Sequence, residues 1–166
     1  MPNHTSNKLA VSGPTSEVER FKLENKSKEE TLSLEKSLPT PSEMLGDNAI
    51  KSGNMPAWYS WRVENWGTKW DIYDSLDWEN DPYGNSVVRF FSAWSPPTPW
   101  LKAIAEKYPD LSFYLTYADE GGSFVGATEA QGLYGEAVSD HDWDSEEGIA
   151  IRIDLGYDHD LQEEEN

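Results

Sequence analysis

The sequence predicts an α+β domain on a ferredoxin-like split βαβ plan: an antiparallel sheet with helices on one face, an inserted Trp-rich helix and a C-terminal β extension. Three observations carry this. Segments of period two and period 3.6 follow one another in the order β-α-β, aromatic helix, β-β-α-β. Ser86–Trp94 is nearly continuous apolar, as a central strand should be. Seven of the eight tryptophans fall between Trp58 and Trp100, too dense for a polar surface helix alone.

Each element has its own signal. Thr5–Ser12 places Leu9 and Val11 on an inward face, a strand that Gly13-Pro14 breaks. Ser16 and Glu19 read as a capping box opening a helix with Val18 and Phe21 on its apolar stripe. Thr31–Glu35 alternates Leu32 and Leu34, a second strand, ended by Pro39 and Pro41, and residues 42–55 read as a loop. From Pro56, Trp58, Trp61 and Trp66 recur at helical spacing, with Gly67 as the stop. Lys69–Tyr73 reads as a short strand, and Asn80–Asn85 as a turn. Pro96, Pro97 and Pro99 open a helix carrying Leu101, Ile104, Ala105 and Tyr108. Leu111, Phe113, Leu115 and Tyr117 alternate on a strand, and Gly121-Gly122 turns the chain into another at Ser123–Thr128. Residues 139–148 read as an acidic loop, Gly148–Leu155 as a strand, and 158–166 as a disordered acidic tail, leaving one domain over 1–157.

Charge is segregated. Residues 1–108 hold 12 Lys/Arg against 15 Asp/Glu, a net of −3. Residues 109–166 hold 16 Asp/Glu against Arg152 alone, a net of −15. Such a field repels nucleic acid and attracts basic surfaces, so direct DNA or RNA binding is not expected. Cysteine is absent, which excludes disulfides and thiolate metal sites. No apolar run approaches the ~18 residues of a membrane span, and the N-terminus lacks a signal-peptide core, so a cytoplasmic protein without membrane contact is expected.

Four motifs occur in order: Met1–Pro14, Trp61–Trp70, Phe91–Pro97 and Tyr117–Gly126. Together they resemble the YubB-like family of ferredoxin-like proteins over residues 1 to about 138. The resemblance implies the fold and a mobile-element setting, on plasmids, in phages or in bacterial genomes. It offers no catalytic residue that maps onto this sequence, and it leaves residues 139–166 unplaced; separately, no cofactor is expected.

Candidate sites follow from residue chemistry. Trp58, Tyr59 and Trp61 could stack on bases or sugars, but no basic track accompanies them, so core packing is the expected role. Arg62, Asn65 and Lys69 form a polar patch able to hold an anion or to cap and brace the helix. Asp140, Asp142, Asp144, Glu146 and Glu147 are the candidate partner-binding set. The alternate spacing of its aspartates resembles a calcium loop, yet Ser145 stands where glycine is needed and Ile151 where the closing glutamate is needed. No metal is therefore expected, and His4, His141 and His159 are too isolated for zinc. Trp143, among these carboxylates, is expected to contribute little to stability.

Catalysis finds no constellation. Ser92 and Ser95 lack a nearby base, no Gly-x-Ser-x-Gly elbow occurs, and Asp119 and Glu120 point to opposite faces of a strand. The leading expectation is a non-enzymatic protein that binds a protein partner, with a basic or nucleic-acid-binding protein as the candidate kind. The alternatives are an acidic DNA mimic that inhibits a nucleic-acid-binding or defence protein, and a carboxylate-dependent hydrolase or transferase.

Overall fold

A computed structural model describes residues 3–46, 51–52, 55–132 and 136–157, so the tail at 158–166 and His159 lie outside the described residues. The strands are β1 (His4–Ser12), β2 (Lys51–Ser52), β3 (Met55–Pro56), β4 (Glu79–Asn80), β5 (Ser86–Ala93), β6 (Ser112–Asp119), β7 (Val125–Gln131) and β8 (Glu136–His141). The α-helices are α1 (Thr15–Glu24), α2 (Leu34–Ser37), α3 (Ala57–Asn65), α4 (Thr98–Lys107) and α5 (Glu146–Asp154).

Six strands form one sheet in the order β4-β5-β1-β6-β7-β8, with every neighbouring pair antiparallel. β5 and β6 therefore run parallel with β1 between them, joined by α4, which is the split βαβ unit. The run β6-β1-β5-β4 is the ferredoxin-like sheet, and β7 and β8 extend it beyond β6.

Period two along β1 decides what each face does. Leu9 pairs Val88 and Leu115, and Val11 pairs Ser86 and Phe113, all on the face under α1 and α4. Phe21 of α1 meets Tyr108 and Phe113 edge-on, at centroid distances of 5.1 and 5.3 Å. Trp66 and Trp100 are fully buried on this side. Their indole N–H groups donate to the Leu38 carbonyl at 2.9 Å and to Ser37 Oγ at 2.7 Å, the partners such groups need once dry.

Several elements differ from the sequence expectation, each for a local reason. Thr31–Glu35 is not a strand, because Ser33 caps α2 and accepts from the Lys36 N–H. The Asp71 carboxylate also sits over that N-terminus, accepting from Ser33 Oγ and the Leu34 N–H, both at 2.7 Å. Asp71 is thereby held by α2, and of Lys69–Tyr73 only Tyr73 bridges the sheet, to Phe91. The short edge strand is β4 instead.

The capping box at Ser16 and Glu19 does not form. Pro14 is the N-cap, so Ser16 already lies inside the first turn, and Glu19 pairs with Lys22. Residues 139–141 belong to β8, and the chain from Glu146 is helical. Ser145 accepts from the Gly148 N–H at 3.0 Å, while Glu146 and Glu147 fill the first turn, where the helix dipole favours them.

The aromatic helix α3 is placed as expected, and Gly67 at φ +86° ends it. A Cβ there would also lie 2.6 Å from Pro99 Cδ. Trp58, Tyr59 and Trp61 are only half-buried: α3 lies against α4 and the β2–β3 ribbon, capping the edge of the core rather than filling it. Among the described residues no helix is long and apolar enough to cross a membrane.

Candidate functional site on the open sheet face

The other face of the sheet carries Ser6, Lys8, Ala10 and Ser12 of β1, Arg89 of β5, Tyr114 and Thr116 of β6, and Glu129 of β7. Alternation that packs Leu9 and Val11 beneath α1 and α4 necessarily turns these polar groups the other way. α5 lies across this face and is tied to it by charge. Asp154 accepts from Lys8 Nζ at 2.8 Å, and its carboxylate and backbone carbonyl take Arg89 at 3.3 and 2.6 Å. Tyr157 and Ser6 share a hydroxyl hydrogen bond at 2.9 Å. Burial opposes ionisation of Asp154, but Lys8 and then Arg89 outweigh it and hold the carboxyl below its ordinary range.

Two hollows flank α5. The larger is a groove of about 690 Å³ floored by Lys8, Ala10, Tyr114 and Thr116 and rimmed by Asp81, Glu129 and Asp154. Tyr83 stands at its mouth, 89% exposed, on the turn that Asp81 holds by accepting from the Tyr83 and Asn85 N–H groups. Desolvation, and then the Glu129 charge, raise the Tyr114 hydroxyl above its usual pKa. Exposed tyrosines among carboxylates suit protein contact.

The smaller hollow is lined by His4, Asp74, Phe91, Glu120 and Tyr157. Two of its groups are tied in place: His4 Nδ1 meets the neighbouring Tyr73 hydroxyl, and Glu120 accepts from the His4 backbone N–H at 2.8 Å. Asp74 is held at φ +52° beside them.

The candidate carboxylates are brought together on one corner. Asp140 lies in the last two residues of β8, Asp142 and Asp144 occupy the turn, and Glu146 and Glu147 open α5, all five exposed. Only Asp144 has an ion pair among the described residues, with Arg152 at 3.6 Å. Among the described residues no three His, Asp or Glu groups converge as a metal site. Gly148 fixes the corner, since a Cβ there would stand 2.2 Å from the Asp142 carbonyl oxygen.

Trp143 is not idle. Its ring lies over Arg152, 4.6 Å from the guanidinium, and 6.4 Å from the Tyr157 ring, bracing the turn against α5. Arg152, the one cation of the C-terminal third, is 3% exposed.

Arg62, Asn65 and Lys69 each have separate partners. Arg62 lies over Trp58 and Trp66, 4.8 Å from each ring, and donates to Thr40 and Glu35. Asn65 donates to the Trp61 carbonyl. Lys69 Nζ lies 4.2 Å from the Trp70 ring and 3.9 Å from Trp94. Trp94 itself stands at φ +66°, where a bulky residue costs about 1–2 kcal/mol. A three-residue turn holds it there, the Ser95 N–H donating to the Ala93 carbonyl at 2.9 Å. Thr68 Oγ1 adds a second bond to that carbonyl, and Ser95 Oγ bonds the Gly67 carbonyl. Sequence reasoning missed this conformation because nothing in Ser92–Ser95 marks a left-handed position.

A profile of the ferredoxin-like domain in Api92-like protein matches residues 65–165. The chain belongs to that family. No curated protein and no solved structure matches it. The matched stretch runs from the end of α3 through α5, so it includes the acidic corner that the sequence resemblance left unplaced. Residues 1–64 lie outside the match, although β1 from that segment pairs both β5 and β6 at the centre of the sheet.

Proposed function

We propose that this protein is a non-enzymatic docking module that receives a basic surface of a partner protein on its acidic corner and the adjoining open sheet face. One observation carries the reading. Asp140, Asp142, Asp144, Glu146 and Glu147 are held on a strand end, a capped turn and a helix start, not strung along a tail. Ordered like charges with one weak internal partner favour an external cation and steer its approach. Exposed Tyr83 and Tyr114 supply the contact area that charge alone lacks.

A finer form of the same reading is nucleic-acid mimicry, in which the fixed carboxylates stand in for phosphates and block a DNA-handling protein. The resemblance to YubB-like proteins and their mobile-element setting gives such an inhibitor a use. Capture of partners from bacterial lysate, at about 50 and about 500 mM salt, tests both forms, because screening shortens the field. Docking requires a partner held at low salt, released at high salt, and lost when the five carboxylates become amides. Mimicry further requires that duplex DNA displace the protein from that partner. Simultaneous binding of DNA and protein would exclude mimicry, and salt-independent capture would exclude the docking reading.

A further inference from the structure

We propose that Trp70 and Trp94 form a slot for a cationic side chain of a partner protein, a guanidinium above all, which Lys69 fills in the free chain. The two indoles face one ammonium at 4.2 and 3.9 Å, while 41% and 47% of their own surfaces remain exposed. In a chain with 31 carboxylates, Lys69 makes no ion pair and no hydrogen bond among the described residues. The molecule shows the contrast in its other two-tryptophan pair. Arg62 between Trp58 and Trp66 is anchored by Glu35 and Thr40 and sits on a fully buried indole. That pair braces the core, whereas the Lys69 pair faces solvent.

Trp94 strengthens the case. Its left-handed backbone is enforced by the turn at Ala93–Ser95 and by bonds from Thr68 and Ser95, and the strain places the ring outward over Lys69. Burial does not require that placement, since nearly half the indole is exposed. Backbone strain maintained by surrounding bonds is a pointer to a site. A guanidinium stacks on indole faces and is less strongly hydrated than an ammonium, so an incoming arginine competes well with Lys69. That the cation comes from a protein rests on the docking reading above; the slot itself does not.

The test is a titration of the full-length chain, labelled with 15N, with N-acetyl-arginine amide, following the indole N–H signals. The neutral citrulline amide is the control. In Lys69→Gln the Trp70 and Trp94 signals should shift saturably with the arginine probe and not with citrulline. Binding there should be roughly five- to thirtyfold tighter than in the unaltered protein, the worth of the two cation–π contacts that Lys69 would otherwise have to give up. Trp94→Gly, which suits φ +66°, should abolish the response while moving the thermal midpoint little; Trp70→Ala should abolish it through the other wall.

Three results would overturn the slot: no indole shift in Lys69→Gln, an equal shift with citrulline, or a midpoint loss in Trp94→Gly as large as that of a buried tryptophan. The five-amide variant of the acidic corner separates the two proposals. The indole response should persist in it, so loss of partner capture there would bear on the corner and leave the slot standing.

Discussion

The two faces of one sheet are built from the same strands and do opposite things. On one face Leu9, Val11, Phe113 and Leu115 meet Phe21, Trp66, Trp100 and Tyr108, and the packing is dry and aromatic. On the other, Lys8 and Arg89 each pair with Asp154 of α5, Ser6 bonds Tyr157 just beyond that helix, and a groove stays open beside it. Buried apolar packing is therefore concentrated under α1 and α4, and the polar ties and open groove lie under and around α5, beside the corner where we propose docking. A residue's placement says more about its role than its residue type does: Trp66, at the end of α3, is fully buried in the core, whereas Trp94, just past β5, leaves nearly half its surface exposed.

Changes on the dry face should cost most. Trp66→Ala should lower stability by about 3–5 kcal/mol, the range for truncating a fully buried aromatic, read as the unfolding midpoint in denaturant. Trp61→Ala, at the half-buried edge of the core, should cost distinctly less, and equal losses would erase the distinction between core and cap.

At the corner, Gly148→Ala should cost on the order of 1–3 kcal/mol by forcing α5 off the Asp142 carbonyl. Its signature should be amide exchange accelerated in α5 and the 142–145 turn while β1, β5 and β6 keep their protection. Uniform loss across the sheet would show that α5 and the core are one cooperative unit.

A smaller effect is expected from Asp154→Asn, which weakens the tie of α5 to Lys8 and Arg89. Because the folded carboxyl titrates below its unfolded value, its contribution is present at neutral pH and above the unfolded pKa near 3.8, and fades as pH falls through the lower folded pKa. The midpoint difference between the variant and the unaltered protein should therefore be largest at neutral pH and shrink in acid. A difference that grows as pH falls would assign Asp154 the opposite role.

Much of the dry face was legible in the sequence because alternation and helical spacing report burial directly. Leu9 and Val11, the Leu111–Tyr117 alternation and the Gly67 stop all fall where the pattern puts them. The misreadings lie where a polar side chain from afar decides the local backbone. Leu32 and Leu34 alternate like a strand, but Ser33 and the distant Asp71 start a helix there. Ile149, Ile151 and Ile153 alternate too, yet Ser145 with Glu146 and Glu147 is a helix start that outweighs the period. The candidate carboxylates were visible by position because they lie within eight consecutive residues; their setting on a strand end, a capped turn and a helix start was not, since 139–148 reads as a loop. Lys69 was visible as a polar residue among tryptophans, but Trp94 lies 25 positions away and needed the turn at β5 to reach it.

The most direct test of a division between a stabilising face and a recognising face is to measure thermal midpoint and partner capture together on two variants. The first carries Trp66→Ala, and the second carries Asp140→Asn, Asp142→Asn, Asp144→Asn, Glu146→Gln and Glu147→Gln. The division requires the first to melt far lower yet retain salt-sensitive capture below its midpoint, and the second to keep nearly the original midpoint yet lose capture. If the five-amide protein captures the partner as well as the unaltered chain does, the acidic corner is not the docking surface.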